Sequence, residues 1–201
     1  DKGQNICLKC GKGTYNNKIG QGECKNCATG KYNSLEGSFE IYDCAKCSEG
    51  QYQNAVGQES CEKCNPGYYS NEEGLSECKK CNAGRYNSEE GGTLSNCIYC
   101  PKGTFGEEIG QISKGTSCIN CPKGRSSIQL GRIIPCDECS IGQAINEVGQ
   151  ENCISCNYGK YSNEIGLSEC KNCPKGQFMN EIGHSLLKCN ECKIGFYVSF
   201  I

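Results

Sequence analysis

All twenty-two cysteines of the chain lie in eleven C-x-x-C pairs. The pairs begin at Cys7, Cys24, Cys44, Cys61, Cys78, Cys97, Cys118, Cys136, Cys153, Cys170 and Cys189. Successive pairs are 17 to 21 residues apart, and an uninterrupted period of this size predicts a tandem array rather than one globular domain. So many cysteines must be either oxidised to each other or bound to metal. We number the repeats 1 to 11 from these pairs.

The chain has too few apolar residues to fold around an ordinary core. Leu, Ile, Val and Phe make up 33 of its 201 residues, and 27 residues are glycine. Covalent cross-links must therefore replace the missing core. The net charge of −2 gives no electrostatic basis for binding nucleic acid or an anionic membrane. No run of 18 apolar residues is present, so no membrane span is expected in this sequence.

Each repeat has a fixed half followed by a variable half. A first glycine stands three residues after the second cysteine, and in nine repeats an aromatic follows two residues later, with Ser126 and Ala144 as the exceptions. A second glycine stands ten residues after the second cysteine. The length varies only beyond it, and the longer versions are 38–43, 92–96, 111–117, 132–135 and 184–188. This pattern predicts a tight turn and a short β-ribbon, followed by a surface loop.

A longer period is superimposed on the short one. Residues 61–78 match residues 153–170 at 13 of 18 positions, and the loop lengths recur every five repeats. We therefore divide the chain into an N-terminal lead-in, residues 1–6, a five-repeat block, residues 7–96, a second five-repeat block, residues 97–188, and the start of a further repeat, residues 189–201. The predicted fold class is small and disulfide-rich. It is an elongated tandem-repeat rod of short β-ribbons and turns, with almost no helix and no large hydrophobic core.

Three cysteine arrangements are compatible with the spacing. The favoured one is a ladder, in which the second cysteine of each pair bonds to the first cysteine of the next pair. Its bridges are Cys10–Cys24, Cys27–Cys44, Cys47–Cys61, Cys64–Cys78, Cys81–Cys97, Cys100–Cys118, Cys121–Cys136, Cys139–Cys153, Cys156–Cys170 and Cys173–Cys189. It leaves Cys7 and Cys192 for other repeats or another molecule. The alternatives are closure of each pair on itself and zinc sites made from two pairs each.

The motif Cys-x-x-Cys-x-x-Gly-x-Tyr…Gly…Cys-x-x-Cys resembles two families of cysteine-rich repeats, the ephrin-receptor-like and the tumour-necrosis-factor-receptor-like. Residues 153–173, with Gly159, Tyr161 and Gly166, carry the resemblance most plainly. The chain is also similar to the long tandem arrays of these repeats in ciliate surface proteins. The resemblance implies a secreted or cell-surface rod with ladder-like disulfides. It implies no particular function, because such arrays serve as receptors, adhesins and fibres.

Catalytic and metal chemistry find little support in the sequence. A redox C-x-x-C requires a helix N-terminus in a βαβ context, which is absent here. His184 is the only histidine and lies in a variable loop, so a Ser–His or Cys–His pair is not expected. Glutamates two residues before the second glycine, such as Glu147, Glu164 and Glu181, raise calcium as the one cofactor candidate. One carboxylate per turn is too few for a cation cage, so we predict no cofactor.

The longer loops are the candidate contact surfaces. They contain the apolar residues Phe39, Ile41, Tyr42, Ile112, Ile133, Ile134, Leu186 and Leu187. In a chain without a core these side chains either pack between adjacent repeats or meet a neighbouring molecule. The aromatics that follow the first glycines are expected to pack on their local disulfides, and the alternative is a stripe of rings that binds carbohydrate or a partner.

These observations predict a non-enzymatic, extracellular or cell-surface protein. The leading hypothesis is a structural protein of a fibre that assembles through self-contacts. The alternatives are the ligand-binding ectodomain of a receptor or adhesin and, third, a zinc-binding array.

Overall fold

The computed structural model describes residues 6–183 and 188–197. The described residues form two compact bodies. The first contains residues 6–82, 86–98 and 109–113, and the second contains residues 83–85, 99–108, 114–183 and 188–197. Each body is built from the same repeat, so the repeat is described first.

Every regular strand is two residues long and occupies one of two fixed places in the repeat. The odd-numbered strands directly follow the first glycine: β1 Thr14–Tyr15, β3 Lys31–Tyr32, β5 Gln51–Tyr52, β7 Tyr68–Tyr69, β9 Arg85–Tyr86, β11 Thr104–Phe105, β13 Arg125–Ser126, β15 Gln143–Ala144, β17 Lys160–Tyr161 and β19 Gln177–Phe178. The even-numbered strands are the two residues between paired cysteines: β2 Lys25–Asn26, β4 Ala45–Lys46, β6 Glu62–Lys63, β8 Lys79–Lys80, β10 Ile98–Tyr99, β12 Ile119–Asn120, β14 Asp137–Glu138, β16 Ile154–Ser155, β18 Lys171–Asn172 and β20 Asn190–Glu191.

An odd strand pairs antiparallel with the even strand of the next repeat. In β1–β2, Thr14 lies opposite Asn26 and Tyr15 opposite Lys25. The same register recurs in β3–β4, β5–β6, β7–β8, β11–β12, β13–β14, β15–β16, β17–β18 and β19–β20. Because the even strand is flanked by two cysteines, each ribbon lies directly beside a disulfide. These short ribbons and the scarcity of helix confirm the predicted small, disulfide-rich repeat fold.

Backbone hydrogen bonds repeat between successive units. The N–H of Cys27 donates to the carbonyl of Gly13 at 2.8 Å, and the N–H of Gly57 donates to the carbonyl of Cys27 at 2.9 Å. The equivalent bonds recur along each body. Each repeat thus pairs its backbone N–H and C=O groups with those of neighbouring repeats, as expected of a repeat protein with few apolar contacts.

The two glycines of the repeat meet across a distance of two repeats, a contact that the sequence did not predict. Gly13 has a φ of 76°, and a Cβ at this position would lie 2.0 Å from the carbonyl oxygen of Gly57. A side chain is therefore excluded by the left-handed backbone and by the close approach. Similar approaches join the first glycines of repeats 2 to 7 to second glycines two repeats later, Gly30–Gly74, Gly50–Gly91, Gly67–Gly110, Gly84–Gly131, Gly103–Gly149 and Gly124–Gly166.

The interior consists mainly of sulfur and hydrogen-bonded polar groups, and its other apolar side chains are Tyr15, Ala144, Ile145 and Met179. The second cysteines of repeats 2 to 9 are almost fully buried. So is the residue six positions after them, which includes Asn33, Gln53, Ser70, Asn87, Ser127 and Ser162. These side chains bond locally: Asn33 Oδ1 accepts from the Leu35 N–H at 3.0 Å, and Ser70 Oγ donates to the Glu72 carbonyl at 3.0 Å. Such bonds stabilise the turn that leads to the second glycine.

Helical structure among the described residues is confined to single turns inside three of the longer loops. They are the 3-10 turns Ile41–Asp43 and Leu94–Asn96 and the α-helix α1, Lys114–Ser117. Within the described ranges, no helix is long and apolar enough to cross a membrane.

Candidate interaction surfaces

The disulfides follow the ladder. The structure contains ten bridges, Cys10–Cys24, Cys27–Cys44, Cys47–Cys61, Cys64–Cys78, Cys81–Cys97, Cys100–Cys118, Cys121–Cys136, Cys139–Cys153, Cys156–Cys170 and Cys173–Cys189. Their Cα–Cα distances lie between 5.4 and 5.8 Å, within the usual range for a disulfide. No C-x-x-C pair in the described chain closes on itself.

Two cysteines remain free thiols. Cys7 is exposed and Cys192 is partly exposed. A four-cysteine zinc site would require existing bridges to open, because two thiols are too few to form it. Among residues 6–183 and 188–197, no group of three or more His, Cys, Asp or Glu side chains is placed to hold a metal ion.

The glutamates that suggested calcium binding form hydrogen bonds with side chains nearby in the sequence. Glu164 accepts a hydrogen bond from Lys171 at 2.9 Å, and Glu72 accepts one from Lys79 at 2.8 Å. The ammonium of Lys79 holds the pKa of the Glu72 carboxyl below its usual value. Glu147 accepts from the Gln150 amide at 3.0 Å. Calcium binding stays an untested hypothesis that would have to compete with these contacts.

The aromatic of repeat 1 packs on sulfur. Tyr15 is buried and forms an apolar cluster with Cys27 and Cys44. The ring thus covers the bridge that starts in the next repeat, rather than the Cys10–Cys24 bridge of its own repeat. At one aromatic exception, the Ser126 hydroxyl lies 3.3 Å from the sulfur of Cys153. At the other, a cavity of about 270 Å³ beside Ala144 is lined by Cys156 and Cys170.

Loop length decides how well each bridge is shielded. In five bridges the cysteines are 14 residues apart, and the second partner of each is exposed or half-buried, namely Cys24, Cys61, Cys78, Cys153 and Cys170. In the other five the separation is 15 to 18 residues, and the second partner is buried, namely Cys44, Cys97, Cys118, Cys136 and Cys189. A longer separation therefore goes with a better shielded second cysteine.

The loop at residues 38–43 is held by one carboxylate. Asp43 Oδ2 accepts hydrogen bonds from the backbone N–H groups of Phe39 at 3.0 Å and Glu40 at 3.1 Å. Phe39, Ile41 and Tyr42 point outwards, and Tyr42 is 86% exposed. Together with residues 16–19 they line an open groove of about 600 Å³. The loop is thus fixed in shape while its apolar side chains face solvent.

The loop at residues 132–135 is held by a buried guanidinium. Arg132 is 7% exposed, and its Nη1 and Nη2 atoms bind the two carboxylate oxygens of Asp137 at 2.9 and 2.7 Å. It also donates to the carbonyls of Ile134 and Pro135. The side chains of Ile133 and Ile134 remain more than half exposed. A bidentate ion pair with further hydrogen bonds to two backbone carbonyls fixes a loop better than an isolated surface pair does.

Of the remaining candidate residues named from the sequence, one lies within the described residues and three lie outside them. Ile112, in the loop at residues 111–117, is 54% exposed. Leu186, Leu187 and His184 lie outside the described residues. All six described contact candidates are therefore 48 to 86% exposed, and packing within the chain covers them only in part.

Two features of these surfaces were missed in the sequence. One is the role of Asp43 and Arg132 as loop anchors, which no periodic signal marks because each occurs once. The other is the residue nine positions after the second cysteine, immediately before the second glycine. It is a large aliphatic in seven repeats, and all seven are at least half exposed: Ile19, Val56, Ile109, Leu130, Val148, Ile165 and Ile182. The period that revealed the glycines could have revealed this position as well.

Comparison with known proteins gives one result at the level of the family. No curated protein matches the chain. The family described as "Tyrosine-protein kinase ephrin type A/B receptor-like" matches four tandem segments, residues 1–44, 50–94, 91–132 and 142–186. Such cysteine-rich repeats are a non-catalytic kind of domain, and with ten disulfides they indicate an extracellular or cell-surface location. The matched segments cover most of the sequence, and the chain therefore belongs to the ephrin-receptor-like cysteine-rich repeat family.

Proposed function

We propose that the chain is a structural protein of an extracellular or cell-surface fibre, and that it assembles through contacts between copies of itself. The observation that carries the proposal is the outward placement of large apolar side chains on anchored loops. Phe39 and Tyr42 on one loop and Ile133 and Ile134 on another are 55 to 86% exposed. Loops already fixed in shape lose little conformational entropy on association, which favours their use as contact surfaces.

A structural role also agrees with how the repeat is stabilised. Covalent bridges and backbone hydrogen bonds recur along each body, so stability is expected to add up repeat by repeat. Such a chain can be extended by duplicating blocks without a new core. The similarity between residues 61–78 and 153–170 is what duplication of a five-repeat block would produce.

Electron microscopy of the oxidised chain tests this proposal. We expect filaments whose axial repeat corresponds to five or ten repeats of the chain. Phe39→Glu with Tyr42→Glu should reduce filament length and number, because two charges replace exposed rings. Tyr158→Glu is the matched control, since Tyr158 is an exposed ring outside the contact loops. The absence of filaments at any soluble concentration, with all ten bridges present, would contradict the proposal.

The second candidate is the ectodomain of a receptor or adhesin, and the family match favours it, because the family is named for ephrin receptors. The open groove formed by residues 16–19 and 39–42 is the ligand site that we assign to it in that case. In that case the loop variant would abolish binding to cells or to a soluble ligand while the oxidised chain stays monomeric. Sedimentation of the wild-type chain separates the two candidates.

A further inference from the structure

The residues nine positions after the second cysteine differ between the two five-repeat blocks. In the first block they are Ile19, Glu36, Val56, Glu73 and Glu90; in the second they are Ile109, Leu130, Val148, Ile165 and Ile182. The first block is thus interrupted by three carboxylates, and the second is aliphatic throughout. We call Leu130, Val148, Ile165 and Ile182, which all lie in the second compact body, the aliphatic row.

The members of the aliphatic row occupy equivalent places on their repeats. Each precedes a glycine of positive φ whose N–H donates to the second cysteine of the preceding repeat at 2.8 Å, as in Gly149 to Cys121 and Gly166 to Cys139. The turns of repeats 8 and 9 also meet first glycines two repeats earlier. The backbone therefore presents the row in the same way from repeat to repeat, with each side chain 52 to 61% exposed.

Repeat 7 adds three further exposed aliphatic side chains. Ile128 is 62% exposed, and Ile133 and Ile134 stand on the loop held by Arg132. With the row, these make seven exposed aliphatic side chains in one compact body. Burying a whole aliphatic side chain removes on the order of 100 Å² from water, so seven that are half exposed or more offer roughly 400 Å².

This area approaches the apolar area that each partner buries in a stable pair of identical chains. A standard interface buries about 800 Å² on each partner, of which about 65% is apolar in homodimers. The seven side chains supply most of that apolar part, and their roughly 400 Å² equals the largest apolar patch of a typical monomer, which is often a functional surface. Two glutamates that immediately precede row members are already engaged within the chain, because Glu164 is paired with Lys171 and Glu147 accepts a hydrogen bond from Gln150.

We propose that the second five-repeat block pairs with the second block of another copy, aliphatic row against aliphatic row. This inference rests on the proposed self-assembly and specifies one of its contacts. Pairing with the first block is disfavoured, because Glu36, Glu73 and Glu90 would lose water without gaining a counter-charge. A contact in which the same patch serves on both partners closes at two chains. Extension of a fibre must then use other surfaces, such as the loop at residues 38–43.

Two valines provide a matched test. Val56 and Val148 occupy the same position in the repeat, and both are 52% exposed. The 201-residue chain carrying Phe39→Glu and Tyr42→Glu, which removes the extending loop, is studied by sedimentation over a range of concentrations. We expect a monomer–dimer equilibrium that stops at two chains. Adding Val148→Glu should raise its dissociation constant about tenfold or more, whereas Val56→Glu should leave it unchanged.

A stronger variant completes the test. Leu130→Glu with Ile165→Glu should yield monomers at all concentrations, and intact bridges in non-reducing peptide maps show that the variant has folded. A background chain that is monomeric throughout, or equal weakening by Val56→Glu and Val148→Glu, overturns the inference. Dimers without filaments in the wild type would support the inferred pairing of second blocks and contradict the proposed fibre. Filaments that persist unchanged in the Leu130→Glu, Ile165→Glu chain would support the proposed fibre and contradict the inferred pairing of second blocks.

Discussion

The bridges Cys27–Cys44 and Cys47–Cys61 are neighbours in one ladder but differ in surroundings. The first closes a separation of 17 residues, both of its cysteines are buried, and Tyr15 packs against it. The second closes 14 residues, and Cys61 is half-buried. The comparison shows that the bridge with the longer separation is the better shielded from water.

Deleting each bridge is expected to give the largest effect. The pair Cys27→Ala, Cys44→Ala and the pair Cys47→Ala, Cys61→Ala should each lower the local free energy of unfolding by about 3 kcal/mol through loop-closure entropy. The two loop lengths differ by only about 0.2 kcal/mol in this respect. If the loss in the free energy of unfolding at the first bridge exceeds the loss at the second by more than this difference, the additional loss measures the burial of its sulfurs and of Tyr15. Hydrogen exchange of the flanking ribbons gives both values, and equal losses would contradict a role for burial.

Removing the aromatic ring that packs on the buried bridge is expected to give the next largest effect. Tyr15→Ala should cost about 3 kcal/mol, because a nearly buried aromatic leaves a cavity against the disulfide. Tyr32, the equivalent residue of repeat 2, is half-buried, and Tyr32→Ala should cost about half as much. Denaturant-dependent hydrogen exchange of repeats 1 to 3 measures both. A larger loss at Tyr32 would show that the ring contributes through some contact other than sulfur.

The anchor of the longer loop should have a smaller effect. Asp43→Ala removes the acceptor for two backbone N–H groups and should cost about 1 kcal/mol, as for the loss of a helix cap. Glu23→Ala is the matched control, because Glu23 precedes Cys24 as Asp43 precedes Cys44 but lies in a short, unanchored loop. Thermal unfolding monitored by circular dichroism compares them. A cost at Glu23 equal to that at Asp43 would remove the special role of the anchor.

The order of reduction should give the smallest difference. In the unmodified chain, the five bridges with a separation of 14 residues should be reduced before the five longer ones, by roughly a few-fold in rate, because thiolate attack requires access to sulfur. Timed alkylation followed by peptide mapping reads all ten bridges in one experiment. Reduction in an order unrelated to separation would break the link between loop length and shielding.

The fixed half of the repeat could be predicted from the sequence, because the same pattern occurs in every repeat. The glycines, the aromatic and the paired cysteines recur at fixed offsets, and the turns, the ribbons and the absence of a large core follow from them. The contact between Gly13 and Gly57 was not accessible, because it depends on how far each repeat turns relative to the last. The anchors Asp43 and Arg132 were hidden for a different reason, since each belongs to a single loop and repeats nowhere.

The buried residue six positions after the second cysteine lies between these cases. Asn33, Ser70 and Ser162 recur at one offset, but polar residues in a turn are usually assigned to the surface. They are buried here because this interior is too poor in apolar groups to fill the space, and because their side chains find backbone partners at once. The aliphatic row is the reverse case, since its members are apolar and yet face water.

The ladder has a consequence for how the chain meets proteases. Every residue between two bonded cysteines, such as residues 28–43, lies inside a covalent ring, so a single cut there leaves both ends attached. From Cys10 to Cys189, a single cut severs the molecule only beside or within the dipeptides between paired cysteines, and these are the even-numbered strands, held in ribbons. A chain of this design can accumulate many nicks outside the cell and still transmit tension along its length.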